Sequence, residues 1–120
     1  MKKKVLVAED DKAIREVVTI VLENEGFEVI RAEQSDLVFQ SVKKQDPDII
    51  LLDIWLYGED GSKIAKKIKS QAHSKDIPVI IMSANSETKA IAKSCGANDF
   101  LLKPFNIDDL VLIVNKHLSN

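Results

Sequence analysis

Apolar positions along this chain alternate between two periods, and the alternation predicts its elements in order. Lys4-Val5-Leu6-Val7-Ala8 is a short apolar run followed by the acids Glu9, Asp10 and Asp11. Ile14, Val17, Val18, Val21 and Leu22 then fall at i, i+3, i+4, i+7 and i+8, the stripe of a helix with one buried face. Gly26 stands where a helix C-cap is expected, and Phe27 to Ile30 can form a second strand. Ser35 reads as the N-cap of a helix carrying Leu37, Val38 and Val42, which must stop before Asp46-Pro47. Asp48-Ile49-Ile50-Leu51-Leu52-Asp53 is the densest apolar run, a strand buried on both faces. After a loop with two glycines, Ile64, Ala65, Ile68 and Ala72 form a third helical stripe. Pro78-Val79-Ile80-Ile81-Met82 reads as a fourth strand and is followed by a helix from about Ser86 to Ser94 that closes at Gly96. Phe100-Leu101-Leu102 makes a fifth strand, ending in Lys103-Pro104. Asn106-Ile107-Asp108-Asp109 resembles a capping box for a last helix lined by Ile107, Leu110, Val111, Val114 and Leu118.

Strands separated by helices imply parallel pairing through crossovers, hence an α/β doubly wound sandwich of five strands with helices on both faces. Such a sheet collects the strand-terminal polar residues on one edge: Glu9 and Asp10, Asp53, Ser83 and Lys103. A carboxylate such as Asp53 is too costly to bury unpaired, so it belongs where the strand emerges, and in open α/β sheets that edge binds ligands. Taken alone, Asp53 reads equally well as a cap or a turn former. Four strand ends, each bearing a chemically different polar group, weigh towards a site.

Composition narrows the classes. One domain spanning 1–120 is expected from 120 residues, with 45% hydrophobic and 30% charged positions. A net charge of −2 gives no electrostatic case for binding nucleic acid or a membrane. A single cysteine fits a reducing compartment, and neither a membrane span nor a signal-peptide pattern is visible, so a cytoplasmic protein is expected. Cys95 reads as a small buried hydrophobe. His73 and His117 lack metal-ligand spacing, and the lysines at 63, 66, 67 and 69 read as a solvated helix face.

The edge residues suggest a chemistry. Converging carboxylates repel one another unless a cation intervenes, and hard oxygen donors suit Mg²⁺. A lysine supplies positive charge to a phosphate and a hydroxyl can donate to it, while a carboxylate can itself be the nucleophile. Phosphoryl transfer to a carboxylate follows.

With VLVAEDD, the DIILLD strand, the D-G after its loop, IIMSA and CGANDFLLKPF in view, the chain resembles the receiver domain of two-component response regulators over essentially its whole length. The resemblance implies a flavodoxin-like sheet ordered 2-1-3-4-5. It implies that Asp53 is the phosphoacceptor, Asp10 a direct Mg²⁺ ligand, and Glu9 the second acid, working mostly through metal-bound water. Trp55 would offer its backbone carbonyl to the metal. Ser83 matches the switch hydroxyl, Lys103 the phosphate-binding lysine, and Phe100 the aromatic that changes rotamer. The Lys103-Pro104 peptide is expected to be cis. A histidine kinase or phosphotransfer protein would be the donor, and a downstream protein would read the fourth helix, fifth strand and fifth helix. The chain would then be a stand-alone switch that phosphorylates and dephosphorylates itself, with no metabolic substrate. Alternatives are a receiver-fold interaction module that no longer uses phosphate, and a fragment of a longer regulator.

Two departures stand out. Tyr57 occupies a position where relatives often carry proline, so the loop is expected to be freer. Trp55 is bulkier than usual and is expected to lean over the path of a hydrolytic water. Other functions fit less well. A flavodoxin-type binder or a Rossmann dehydrogenase wants a phosphate-cradling loop where Glu9-Asp10-Asp11 would repel phosphate. A haloacid-dehalogenase-like phosphatase needs a carboxylate where Trp55 stands.

Overall fold

The computed structural model describes residues 2–56 and 58–118; the expectation for Tyr57 lies outside the described residues. Five strands form one parallel sheet: β1 (Lys4–Ala8), β2 (Glu28–Ala32), β3 (Ile49–Asp53), β4 (Val79–Ser83) and β5 (Asp99–Leu102). Their order is β2-β1-β3-β4-β5, as expected. The helices are α1 (Lys12–Asn24), α2 (Ser35–Gln45), α3 (Gly61–Ser70), α4 (Thr88–Cys95) and α5 (Ile107–Leu118). Strand alternation divides the core in two. Leu6, Ile50, Leu52 and Ile81 face the cluster with Val38, Ile64 and Ala92, and Val5, Ile49, Leu51 and Met82 face Val18, Leu110 and Val114. β3 and β4 are buried at every position, which is why β3 reads as an unbroken apolar run.

Several boundaries differ from expectation, each for a local reason. The expected loop after β3 contains a small antiparallel hairpin, Trp55–Leu56 against Glu59–Asp60, turning at Gly58 (φ +77°). Ser35 does not cap α2; it is the first helical residue, after Gln34. Its backbone N–H donates instead to Glu59 Oε2 of the hairpin at 3.3 Å, so a distant carboxylate serves that helix end. α3 ends at Ser70, leaving Ala72 exposed beyond it, because the Ser74 hydroxyl donates to the Ile68 carbonyl and turns the chain. α4 starts at Thr88, after Asn85 has accepted the N–H of Glu87 on its side chain and that of Thr88 on its carbonyl. Val17 and Ile107, counted in the helical stripes, are exposed. Lys69 is not on a solvated face: Nζ donates to the Ile77 carbonyl and to Asn98 Oδ1, both at 2.9 Å. Asn106 Oδ1 accepts from Asp109 N, capping α5 as expected.

A candidate phosphoacceptor site at the carboxyl edge of the sheet

All the expected strand-end residues emerge on one edge. Asp53 and Ser83 are the last residues of β3 and β4, while Glu9 and Lys103 immediately follow β1 and β5. Register explains the alignment, since Asp53 pairs with Met82, and Ser83 with Leu102. Backbone bonds then tie the strand ends together: Ile54 N donates to the Met82 carbonyl and Lys103 N to the Ser83 carbonyl. Carboxylate oxygens of Glu9, Asp10 and Asp53 lie within 4.8 Å of one another. The Lys103 ammonium sits among them, 2.5 Å from Glu9 Oε1 and 3.5 Å from Asp53 Oδ2. The Lys103-Pro104 peptide is cis, as expected.

Burial sorts the three acids. Glu9 is fully buried, with Oε1 on Lys103 and Oε2 accepting from Asp11 N at 3.2 Å. Asp53 is 7% exposed and Asp10 half-buried. Burial, together with a hydrogen bond and the charge of Asp53, pushes the Glu9 carboxyl up to about 7, against the pull of Lys103 and the Asp11 N–H. The Lys103 ammonium is also raised. Burial opposes its charge most, yet the hydrogen bond to Glu9 and the charges of Glu9 and Asp53 together outweigh it.

A pH dependence follows. Because Glu9 titrates above its ordinary value of 4.5, the metal-free folded protein keeps a proton that the unfolded chain has already released. That contribution to stability is full below about pH 4.5 and is lost as pH rises through about 7. Thermal melts in EDTA should therefore show a Tm that falls between about pH 4.5 and 7 and levels off above, with a shallower fall for Glu9→Gln. Identical slopes would mean that Glu9 is not the group holding the proton.

The sequence did not reveal how the acidic turn is held. Arg15, one turn into α1, donates from Nη1 to the Glu9 carbonyl at 2.8 Å and the Asp10 carbonyl at 3.4 Å, and pairs with Glu33 at 3.4 Å. Its only signal is a cation five and six residues after the pair. Asp11 stays out of the cluster, because its Oδ1 caps α1 by accepting from Ile14 N.

Other expected residues are placed as follows. Ser83 is buried, with Oγ accepting from Asn85 N at 3.0 Å, and Phe100 is half-buried against the α2–α4 side of the core. Trp55 N lies 3.5 Å from Asp53 Oδ1, but the residue is 58% exposed and lines a cleft with Phe39, Lys63 and Lys67. None of the acids at 9, 10 and 53 lines that cleft. His117 accompanies Lys116 on Asp99 Oδ2, away from the acidic cluster.

The donor set suits a small hard cation: carboxylate oxygens of Glu9, Asp10 and Asp53 converge within 4.8 Å of one another. No helix among the described residues is long and apolar enough to cross a membrane.

A family model described as the response regulator receiver domain matches residues 5–115. The phosphate regulon transcriptional regulatory protein PhoB of Klebsiella pneumoniae is 38% identical over 113 residues, covering 92% of this chain and 49% of that protein. The chain thus spans about half the length of the curated relatives it matches. Among solved structures, the receiver domain of NtrX from Brucella abortus superposes with a TM-score of 0.87 at 33% identity, over 97% of this chain and 98% of that one. The chemotaxis response regulator CheY4 of Vibrio cholerae gives a TM-score of 0.91 at 28% identity, over 98% and 100%.

Proposed function

The chain belongs to the response regulator receiver domain family, and from that premise we propose that it is a phosphorelay switch in which Asp53 accepts the phosphoryl group. The observation that carries this reading is the placement of Lys103, one ammonium bridging two buried carboxylates, Glu9 and Asp53. An Asp53 oxygen attacks phosphorus as the bond from phosphorus to a phosphohistidine nitrogen breaks, the leaving imidazole keeping the electron pair. Lys103 can turn from Glu9 to the transferred group, because its ammonium already lies 3.5 Å from Asp53 Oδ2. Ser83 Oγ accepts from the Asn85 N–H and has its own proton to donate to a phosphoryl oxygen.

Asp10, Asp53 and the Trp55 carbonyl would hold Mg²⁺. Glu9, the second acid of the pair, would act through metal-bound water; before transfer its oxygens accept from Lys103 Nζ and Asp11 N. The ion supplies charge neutralisation for the phosphoryl oxygens. Added dianionic charge would draw Ser83 inward and let Phe100 follow, biasing a two-state equilibrium. Leu102, Ile107 and Leu112, all exposed on β5 and α5, suit an output face for a downstream protein. The protein would act in the cytoplasm, receive its phosphoryl group from a histidine kinase or phosphotransfer protein, and turn over no metabolic substrate.

Acetyl phosphate with Mg²⁺ should add one phosphoryl group by intact mass, and replacing Mg²⁺ by EDTA should prevent it. Uptake that ignores the metal, or no uptake at all, would favour a receiver fold that works without phosphate.

A further inference from the structure

Beyond that switch, we propose that the cleft between α2, the hairpin and α3 docks an acidic peptide segment of a partner protein. An apolar side chain of that segment would rest against Trp55 and Phe39, with its carboxylates on Lys63 and Lys67. The cleft measures about 540 Å³, the size of one or two side chains, and is floored by Ile64 and Phe39.

Three observations support this occupant. First, Trp55 is not needed by the core. Hairpin alternation sends its neighbour Leu56 inward at 0% exposure and leaves the indole 58% exposed. Large amphipathic rings in that setting are the residues that most often carry binding energy. Second, the acids at the cleft are already engaged by the protein's own donors. Glu59 Oε2 accepts from Ser35 N, and Asp60 Oδ1 accepts from the backbone and hydroxyl of Ser62 at the start of α3. Third, among the described residues neither the Lys63 nor the Lys67 ammonium is in an ion pair. The Ser62 hydroxyl and, behind it, the Lys63 charge do help to hold the Asp60 carboxyl below its ordinary value. Lys67 rests over the Phe39 ring at 4.8 Å. A cation parked on an aromatic face can turn to an incoming carboxylate and leave the ring free to be covered.

Charge distribution selects a peptide over a nucleic acid. Glu59 and Asp60 line the cleft beside Lys63 and Lys67, so discrete carboxylates that can be set on the lysines fit it better than the unbroken charge of a phosphodiester. The site does not depend on phosphorylation of Asp53, so its test uses the unmodified chain.

The chain has one tryptophan, which reports from inside the cleft. In EDTA, a tryptophan-free pentapeptide of sequence Asp-Glu-Phe-Glu-Asp should change its emission saturably, with a Kd below about 1 mM. The double charge reversal Lys63→Glu/Lys67→Glu should weaken binding at least tenfold while far-UV circular dichroism and labelling by acetyl phosphate stay unchanged. Lys-Lys-Phe-Lys-Lys should not bind. The proposal is overturned by a linear response to the acidic peptide, by equal binding of the basic one, by undiminished affinity in the reversed variant, or by a single-stranded oligonucleotide that binds more tightly than the peptide.

Discussion

Asp53→Asn should take up no phosphoryl group from acetyl phosphate and Mg²⁺, yet in EDTA it should melt above the parent chain. Loss of labelling follows from the nucleophile: an amide oxygen carries no charge to donate, and the neighbouring acids are badly placed to substitute. Glu9 is fully buried with both oxygens occupied, and the Asp10 turn is held by Arg15. The gain in stability follows from proximity: carboxylate oxygens of Asp53, Glu9 and Asp10 lie within 4.8 Å of one another, and, after burial, the Asp53 charge is one of the causes that push the Glu9 carboxyl up. Removing the Asp53 charge relieves repulsion that metal-free protein otherwise limits by holding a proton on Glu9. We expect a gain of about 1 kcal/mol, or a few degrees in Tm for a domain of this size. Mg²⁺ should raise the parent's Tm by mass action and the variant's by much less. Intact mass and thermal melts with and without Mg²⁺ read both halves. Labelled Asp53→Asn would remove the acceptor assignment, and a lowered Tm in EDTA would mean that the Lys103 contact outweighs the repulsion.

Most of the fold was legible because its signals are local and redundant. The β3 run could only be a doubly buried strand, and Gly96, at φ +83°, ends α4 where expected. Asn106 likewise starts α5 from its own sequence position. What sequence missed depends on partners distant in the chain. Ser35 looked like a cap because its local pattern is right, but nothing near it shows that Glu59, 24 residues on, reaches the same N–H. Lys69 resembled its solvated neighbours until the Ile77 carbonyl and Asn98 were brought beneath it. The site divides in the same way. Which residues share the edge follows from strand ends and topology, and this was readable. How charge is apportioned was not, because the burial of Glu9 and its 2.5 Å contact with Lys103 arise from elements 94 residues apart.

Gly61 links the fold to the acceptor, and Gly61→Ala should be the most damaging conservative change in the chain. The Asp60-Gly61 pair after the loop has a backbone role. Asp60 caps α3, and Gly61 N donates to the Ile54 carbonyl at 2.6 Å, drawing the start of the helix onto the end of β3. The approach is so close that a Cβ at Gly61 would lie 2.2 Å from the Asp53 carbonyl oxygen and 2.9 Å from Ile54 Cα. Both obstacles are backbone, so no rotamer change relieves the clash, and either α3 withdraws or the Asp53–Ile54 segment moves. Overpacking usually costs about 1–3 kcal/mol where side chains can yield. Here the cost should exceed about 3 kcal/mol, a large share of the stability of a small domain. The Asp53 carboxylate should also be displaced, since its own carbonyl is the nearest obstacle. Urea unfolding should show the midpoint falling without a change of slope. Folded Gly61→Ala, measured well below that midpoint, should label with acetyl phosphate at least about tenfold more slowly, since an ångström of misplacement is enough for such a loss. A variant within about 1 kcal/mol of the parent and labelling at the parent rate would show that α3 can retreat without moving β3, and that the glycine does not position the acceptor.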